Sequence, residues 1–403
     1  MARDAYIVSY IRTPIGRYGG GLATIRTDDL AAIPIRALLE RHPEIDPGTI
    51  DDVILGATNQ AGEDNRNVGR MALLLAGLPE SVPGATVNRL CGSGMQAVID
   101  AARAIRSEEA ELVIAGGVES MSRAPFVIPK AEQAYPTQAD IVSTTLGWRL
   151  VNPEMERMGH TDTLGMTAEH VAAEYDVNRR DQDRFALSSQ EKAAAAMTSR
   201  KLAEEIVPVR VQPPRGDPIE VATDEHPRPQ STIEALERLK PAFTGGGTVT
   251  AGNASGINDG AAAMLIASGD AVERLGMEPI ARVVASAVAG VPPRIMGIGP
   301  IPAVEKLQRR SGVAIGDVDV VELNEAFASQ SLACLRAFGL GDDAEHVNPN
   351  GGAIALGHPT GMSGARITGT AALELRRQGG RHAIATMCIG VGQGIAVLLE
   401  RAP

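Results

Sequence analysis

The sequence is poor in the features that mark extracellular, metal-binding and membrane proteins. Cysteine occurs only three times in 403 residues, without CxxC spacing, so neither a disulfide framework nor a zinc site is indicated. No run reaches the roughly 18 apolar residues of a membrane span, and the N-terminal segment has no apolar signal region. We therefore expect a soluble cytoplasmic protein in a reducing compartment.

Basic residues are also in the minority. The chain has 38 lysines and arginines against 49 acidic residues, which gives a formal net charge of −11. This balance argues against nucleic acid or an anionic membrane surface as a partner. It also requires that an anionic substrate be met by a local group of basic side chains.

Aromatic residues are scarce at 3%, but hydrophobic residues make up 44% of the chain, so large cores remain available. The 44 glycines permit close packing of helices on sheets and loops that approach a ligand with bare backbone. Strands and helices alternate, which predicts a layered α/β fold with a largely parallel sheet. The strand-like segments are 6–10, 52–55 and 112–115, and the helical patterns are 28–40 and 66–76.

The alternation fails between about 119 and 247. This region contains Trp148, a group of prolines between Pro208 and Pro229, and a charged, alanine-rich helical pattern near 179–201. Such a change of composition predicts an inserted, partly irregular substructure, and long excursions of this kind are usually functional.

The later part of the chain repeats patterns of the first part. Segments 38–41, 50–56 and 112–116 are echoed by 307–310, 318–324 and 383–388. A constant separation of about 270 residues predicts two similar α/β halves that face each other.

The stretch NRLCGSG predicts a strand, a tight turn and a helix, with Cys91 at the helix start. Apolar residues follow at helical spacing: Met95, Val98, Ile99, Ala102 and Ile105. Free backbone N–H groups at a helix N-terminus favour an anion, so the thiol there is biased toward the nucleophilic thiolate. The alternative is that Cys91 is a small packing residue.

Two further polar residues precede predicted helices. Asn324, in LNEAFA, is either an N-cap or an amide that holds a water or a substrate oxygen. His358, in GGAIALGHPTG, is either a general base or a solvated loop histidine.

The two remaining cysteines have different surroundings. In CIGVGQG, Cys388 closes a strand before three glycines, whose backbone N–H groups could form an oxyanion site beside a proton-exchanging thiol. Cys334 lies inside a helical apolar pattern and is predicted to be a core residue. The small-residue segment 248–260 could form the floor of a narrow channel for a thin ligand arm, or could simply be a flexible loop.

These motifs together resemble those of the thiolases: NRLCGSG, TAGNASGINDGAA, LNEAFA, GGAIALGHPTGMSGAR and CIGVGQG, in this order. The resemblance implies two pseudo-symmetric βαβαβαββ halves in a five-layered α/β/α/β/α arrangement. We expect an N-terminal half from 1–118 plus 248–270, an inserted loop domain at 119–247 and a C-terminal half at 271–403.

The resemblance also implies the roles of the site residues. Cys91 would be the acyl-accepting nucleophile, His358 would activate it and Cys388 would move the proton at the α-carbon. Asn324, through a bound water, and His358 would form one oxyanion site, and the backbone N–H groups of Cys91 and Gly390 the other. Coenzyme A would cleave a 3-oxoacyl-CoA to acetyl-CoA and a shorter acyl-CoA, reversibly, with no metal or prosthetic group.

Several segments resemble the 3-oxoadipyl-CoA thiolases in particular, among them ATNQAGEDNRN, STTLGWRLVNPEM and PPRIMGIGPIPAV. In the inserted region, Trp148, Arg149, His160 and Leu164 are candidate specificity residues, and Arg149 or His160 would meet a distal carboxylate. The sequence departs from both groups at Thr163-Leu164-Gly165, where acetoacetyl-CoA thiolases typically have His-Met-Gly and 3-oxoadipyl-CoA thiolases usually have Met-Pro around Leu164-Gly165. Acetoacetyl-CoA is therefore kept as an alternative substrate.

For coenzyme A, the resemblance puts the pantetheine against five residues and Arg228 near the nucleotide. The five are Phe243, Ala251, Ser255, Ala326 and Phe327. It also implies a homotetramer built from dimers. One rival function is a decarboxylating ketoacyl synthase, which uses a Cys-His-His set and is opposed by Cys388 and Asn324. The other is a non-catalytic acyl-CoA-binding scaffold, which would not need the complete set of site residues.

Overall fold

The computed structural model describes residues 3–213 and 215–403. Most of its strands belong to one large sheet, and the rest form two small hairpins outside it. The strands are β1 (Ala5–Arg12), β2 (Gly16–Arg17), β3 (Asp52–Gly56), β4 (Gly84–Val87), β5 (Leu112–Ser120), β6 (Phe126–Val127), β7 (Val142–Ser143), β8 (Val209–Val211), β9 (Ile219–Val221), β10 (Asn258–Ser268), β11 (Ala281–Gly290), β12 (Val320–Leu323), β13 (His382–Ile389) and β14 (Gln393–Arg401).

The three helical patterns at 28–40, 66–76 and near 179–201 match helices of the structure to within a few residues. For example, the second helix starts after the side-chain cap of Asn67, which accepts from Arg70 N, and ends at Gly77 with φ +95°. The helices are α1 (Thr27–Arg41), α2 (Val68–Ala76), α3 (Ser93–Arg106), α4 (Pro153–Arg157), α5 (Leu164–Glu174), α6 (Arg179–Thr198), α7 (Ile233–Glu237), α8 (Gly269–Leu275), α9 (Pro300–Ser311), α10 (Ala328–Phe338), α11 (Ala353–Leu356) and α12 (Thr360–Gln378).

The large sheet has the strand order β4-β3-β5-β10-β1-β11-β14-β13-β12, with β2 added beside β10. Only the pairs β3–β4, β3–β5 and β12–β13 are parallel, and the other neighbours are antiparallel. The prediction of a largely parallel sheet is therefore wrong. Strands covered by helices on both faces are apolar throughout, so their sequence does not reveal their direction.

The predicted repeat is confirmed by the strand pairing. In the first half, β3 runs parallel to β5, and β5 is antiparallel to β10; in the second, β12 runs parallel to β13, and β13 is antiparallel to β14. A parallel bridge from Val321 to Val347 occupies the position that β4 has beside β3. The two halves of the sheet are joined by only two residue pairs between β1 and β11.

Three hydrophobic cores define the predicted five layers. One core lies between α1 and α2 and the first half of the sheet, and another between α9 and α10 and the second half. The third contains α3 and α12 with strands of both halves, so these two helices form the central layer. They touch closely, because a Cβ on Gly94 would lie 2.7 Å from Ala365 N and one on Gly364 would lie 2.4 Å from Met95 N.

The region predicted to be an insertion separates β5 from β10. It contains the two small hairpins, β6–β7 and β8–β9, and the four helices from α4 to α7. Within residues 3–213 and 215–403, no helix combines the length and the apolar character that a membrane crossing requires.

Candidate active site

Cys91 lies in the short turn between β4 and α3. Leu90 has φ +46°, and the Ser93 hydroxyl closes the turn by accepting from Arg89 N at 2.9 Å and donating to Leu90 O at 2.6 Å. A Cβ on Gly92 would lie 2.6 Å from Ile389 Cδ1. The absence of a side chain at Gly92 therefore lets this turn pack against the end of β13.

The resting state of Cys91 differs from the prediction. Burial raises the pKa of the Cys91 thiol, and the negative charge of Glu119 raises it further, whereas the N–H groups of Gly390 and of Cys91 itself lower it. Helix α3 begins only at Ser93, with Gly92 as N-cap. The predicted bias toward a thiolate is therefore wrong, because loss of water outweighs the stabilisation by backbone N–H groups. The thiol needs a base.

His358 is buried in the loop between α11 and α12, so it is not a solvated loop residue. Its Nδ1 lies 2.6 Å from Ser363 Oγ, and that hydroxyl donates to Pro359 O at 2.9 Å. Since the hydroxyl proton is used there, Nδ1 carries the imidazole proton and Nε2 keeps its lone pair. Burial, and then the charge of Arg366, lower the pKa of His358 to about 4. The imidazole is neutral at physiological pH.

Asn324 follows β12 and faces the histidine. Its Nδ2 lies 3.4 Å from His358 Nε2, and its backbone N donates to Thr386 O at 3.0 Å. Helix α10 starts at Ala328 with Phe327 as its N-cap, so the interpretation of Asn324 as an N-cap is wrong. The buried Oδ1 of Asn324 has no hydrogen-bond partner among the described residues and is an acceptor that a water or a ligand group can satisfy.

Cys388 and Gly390 end β13 and begin the hairpin turn to β14. Cys388 is buried, and its pKa is raised well above the usual value by burial and by the charge of Cys91. Cys388 is therefore a protonated thiol near Cys91. In the turn, Val391 and Gly392 both have positive φ, at 62° and 79°. This conformation presents the N–H of Gly390 to Cys91.

A cavity of about 370 Å³ opens beside Cys91. All four candidate specificity residues line it, namely Trp148, Arg149, His160 and Leu164. Other lining residues are Thr58, Asn59, Leu90, Thr144, Asp162, Pro293, Met296, Thr360, Gly390 and Val391. Arg149 donates to the neutral Oδ1 of Asn59 at 3.2 Å and forms no ion pair with any residue that the structure describes. The cavity wall thus carries a guanidinium that forms no ion pair with a described residue, and also the carboxylate of Asp162.

The residues predicted to bind coenzyme A form a separate strip. The rings of Phe243 and Phe327 meet edge to face at 6.2 Å, and Ser255 N donates to Ala326 O at 3.0 Å. Ala326 and Phe327 share an apolar cluster with Cys388.

The other two predicted coenzyme A residues are exposed. Ala251 lies in a turn of the segment that contains Ser255. Arg228 is two residues from His226, whose ring packs against Gly256. None of the six residues lines the cavity beside Cys91.

Sequence reasoning missed Glu119, at the end of β5. This buried carboxylate accepts from Thr360 Oγ1 at 2.8 Å, Gly361 N at 2.9 Å and Thr58 N at 3.1 Å, and burial raises its pKa to about 7. It therefore ties the cavity wall to the loop of His358. The available signal was a charged side chain at the end of the otherwise apolar run LVIAGGVES.

Comparison with known proteins gives consistent matches over the whole chain. Residues 5–270 match the model of the thiolase N-terminal domain, and residues 277–401 match that of the thiolase C-terminal domain. The chain is 60% identical over 401 residues to beta-ketoadipyl-CoA thiolase of Pseudomonas aeruginosa, covering 100% of both proteins.

Two further relatives cover almost all of the chain. The chain is 60% identical over 399 residues to the 3-oxoadipyl-CoA/3-oxo-5,6-dehydrosuberyl-CoA thiolase of Escherichia coli, covering 99% of this chain and 100% of the relative. The crystal structure of Bacillus anthracis acetyl-CoA acetyltransferase superposes with a TM-score of 0.93 at 38% identity, covering 100% of this chain and 99% of that one. The chain belongs to the thiolase family of acyltransferases.

Proposed function

We propose that the chain cleaves 3-oxoadipyl-CoA with coenzyme A to acetyl-CoA and succinyl-CoA. The observation that carries this proposal is the guanidinium of Arg149, which forms no ion pair with a described residue, in the cavity beside Cys91. A succinyl group on Cys91 has a carboxylate at its far end, and a guanidinium is the side chain best suited to bind it. The names of the 60% identical relatives support this substrate.

In this mechanism the neutral His358 takes the proton of Cys91, and the thiolate attacks the ketone carbon of the substrate. The N–H groups of Cys91 and Gly390, which lie at the Cys91 sulfur, stabilise the oxyanion that forms on the attacked carbon, while Asn324, through a water, and His358 stabilise the enolate oxygen of the leaving acetyl-CoA. The bond between C2 and C3 breaks, and the leaving acetyl-CoA enolate takes its proton from Cys388. Coenzyme A then gives its thiol proton to the Cys388 thiolate and attacks the thioester on Cys91. Succinyl-CoA is released, and the leaving Cys91 thiolate takes back the proton held by His358.

The strip beside Cys388 is the proposed binding region for coenzyme A. Phe243, Ala251, Ser255, Ala326 and Phe327 contact the pantetheine, and Arg228 lies near the nucleotide. The contacts within this strip support the assignment. The reaction requires no metal and no prosthetic group, because two thiols and an imidazole supply the nucleophile and the proton transfers.

The same proposal includes the organisation of the protein. The N-terminal half is 1–118 plus 248–270, the inserted loop domain is 119–247 and the C-terminal half is 271–403. The assembly is a homotetramer built from dimers in the cytoplasm, and its partners are acyl-CoA and coenzyme A rather than nucleic acid or membranes. The net charge of −11 supports the last point.

The test compares the cleavage of 3-oxoadipyl-CoA and acetoacetyl-CoA by Arg149→Ala. Loss of a charge-assisted hydrogen bond costs about 1.5–3 kcal/mol, so kcat/KM for 3-oxoadipyl-CoA should fall about 10- to 150-fold more than that for acetoacetyl-CoA. Arg157→Ala is the matched control, because Arg157 is in the same region but is exposed and pairs with Glu154. Equal losses on both substrates would refute the proposed specificity.

A second variant tests the proposed nucleophile. Cys91→Ser should abolish the cleavage of both substrates and retain acyl-CoA binding, which equilibrium titration measures. Turnover by this variant at the wild-type rate would overturn the mechanism.

A further inference from the structure

The loop after β3 contributes Asn59 to the wall of the cavity, next to Arg149. Arg149 Nη2 donates to Asn59 Oδ1 at 3.2 Å, across 90 residues of sequence. The contact therefore joins the first half of the molecule to the inserted region that carries the candidate specificity residues.

The orientation of the Asn59 amide is fixed by Thr144. Asn59 Nδ2 donates to Thr144 O at 3.3 Å and to Thr144 Oγ1 at 3.1 Å, and this hydroxyl in turn donates to Pro125 O at 2.7 Å. The opposite amide orientation would bring Asn59 Oδ1 against the carbonyl oxygen of Thr144, and neither oxygen can donate. The amide oxygen of Asn59 is therefore held toward Arg149.

The backbone that carries Asn59 is also held by buried carboxylates. Asn59 N donates to Glu119 Oε1 at 3.2 Å. Just beyond it, Asp64 accepts from Gln60 N at 2.8 Å and from Gly62 N at 3.1 Å. Both carboxylates are buried. The backbone N–H groups of Asn59 and of the residues just after it are therefore hydrogen-bonded, which holds the loop that carries the Asn59 side chain in place.

An amide at this position holds the guanidinium without cancelling its charge. Asn59 accepts one of the five N–H groups of Arg149, whereas a carboxylate there would form an ion pair. Asp162, an acidic residue of the same cavity wall, lies instead 3.2 Å from His170 Nε2. The charge of Arg149 is therefore left for an anionic ligand.

We infer that Asn59 is a positioning residue that orients Arg149 toward the distal carboxylate of the acyl group. This inference rests on the proposed function. It assigns part of the substrate selectivity to Asn59, a neutral residue of the first half of the molecule. Asn59 acts on the substrate only through Arg149, which belongs to the inserted region.

The test uses Asn59→Asp, which has the shape of asparagine but pairs with Arg149 and repels a substrate carboxylate. The ratio of kcat/KM for 3-oxoadipyl-CoA to that for acetoacetyl-CoA should fall by about tenfold or more, mainly through KM. Ala61→Asp is the control, because it adds the same charge to an exposed position of the same loop without removing a side-chain hydrogen bond, and it should not change the ratio. Circular dichroism verifies folding, and Asn59→Ala, which should lower the ratio less, replaces the first variant if that variant does not fold.

The double variant Asn59→Ala/Arg149→Ala, which adds no charge of its own, separates the possible results. The inference is supported if Arg149→Ala lowers the ratio and the double variant lowers it no further, since both changes remove the same contact. It is overturned if Arg149→Ala lowers the ratio but Asn59→Asp reduces both substrates equally, and the proposed function then stands. If Arg149→Ala leaves the ratio unchanged, the proposed specificity fails and the inference fails with it.

Discussion

The neutral imidazole of His358 has a measurable consequence for the pH dependence of the reaction. A general base acts only when it is unprotonated, so activity is lost as the pH falls through its pKa in the free enzyme. An ordinary histidine with a pKa near 6.5 would reduce kcat/KM about 25-fold between pH 7 and pH 5. Burial and Arg366 lower the pKa of His358 to about 4, so we expect a loss of less than about twofold over this interval.

The assay measures kcat/KM for acetoacetyl-CoA at saturating coenzyme A between pH 4.5 and pH 8. In a two-step mechanism this parameter covers only the formation of the acyl-enzyme, so the ionisation of coenzyme A does not enter it. Acetoacetyl-CoA has no distal carboxylate, which removes the titration of the substrate. Circular dichroism at each pH verifies that the protein remains folded.

One other group requires a control variant. Burial raises the pKa of Glu119 to about 7, so this carboxyl group titrates in the same interval and its charge acts on Cys91. Glu119→Gln removes that titration, and the acid limb of His358 should remain below pH 5 in this variant. An acid limb with a midpoint between pH 6 and pH 7 in both proteins would refute the assignment of a buried, neutral base.

Two further predictions concern the surroundings of the site. Ser363→Ala removes the acceptor of the proton on His358 Nδ1 and leaves a buried N–H group unpaired. In steady-state kinetics, kcat for either substrate should therefore fall about tenfold with little change in KM. An unchanged kcat would contradict this role of Ser363. Burial and the charge of Arg228 lower the pKa of His226 to about 4 in the folded protein. Below pH 6.5 the unfolded chain therefore binds more protons at this residue than the folded protein does. The free energy of unfolding consequently decreases as the pH falls from 6.5 toward 4. Denaturant titration at pH 7 and at pH 5 measures how much unfolding free energy is lost between the two. This loss should be smaller in His226→Gln than in the wild type by up to about 2 kcal/mol. An identical loss in the wild type and the variant would contradict the lowered pKa.

The fold was predictable where local pattern and global structure agree. The alternation of elements and the repeat of about 270 residues could be read directly, because each half forms similar strand-helix units. The direction of the strands could not be predicted. The buried strands β5 and β13 are apolar on both faces, so their sequence does not distinguish parallel from antiparallel neighbours.

The sequence motifs point to the candidate site residues, but not to the protonation states of their side chains. Cys91 is followed by two nearby glycines and His358 has glycine on either side, which marks both residues in the sequence. Their pKa values depend on burial, which is a property of the packed protein. The sequence alone favoured an N-cap at Asn324, and the structure shows an amide facing His358, because its hydrogen-bond partner lies 34 residues away. Asn59 escaped notice for the same reason, since its partners are 60 to 90 residues distant.

The close contact of α3 and α12 explains why neither half can form the site alone. Each of these helices follows a loop with one reacting side chain, Cys91 before α3 and His358 before α12. The helices meet through Gly94 and Gly364, where an added Cβ would clash with the backbone of the opposite helix. A side chain at either glycine would meet the opposite backbone at 2.4–2.7 Å and force the two helices, with their preceding loops, to shift. Proton transfer from thiol to imidazole requires hydrogen-bond distance. The central layer therefore sets the separation of the proposed nucleophile and the proposed base as well as packing the core.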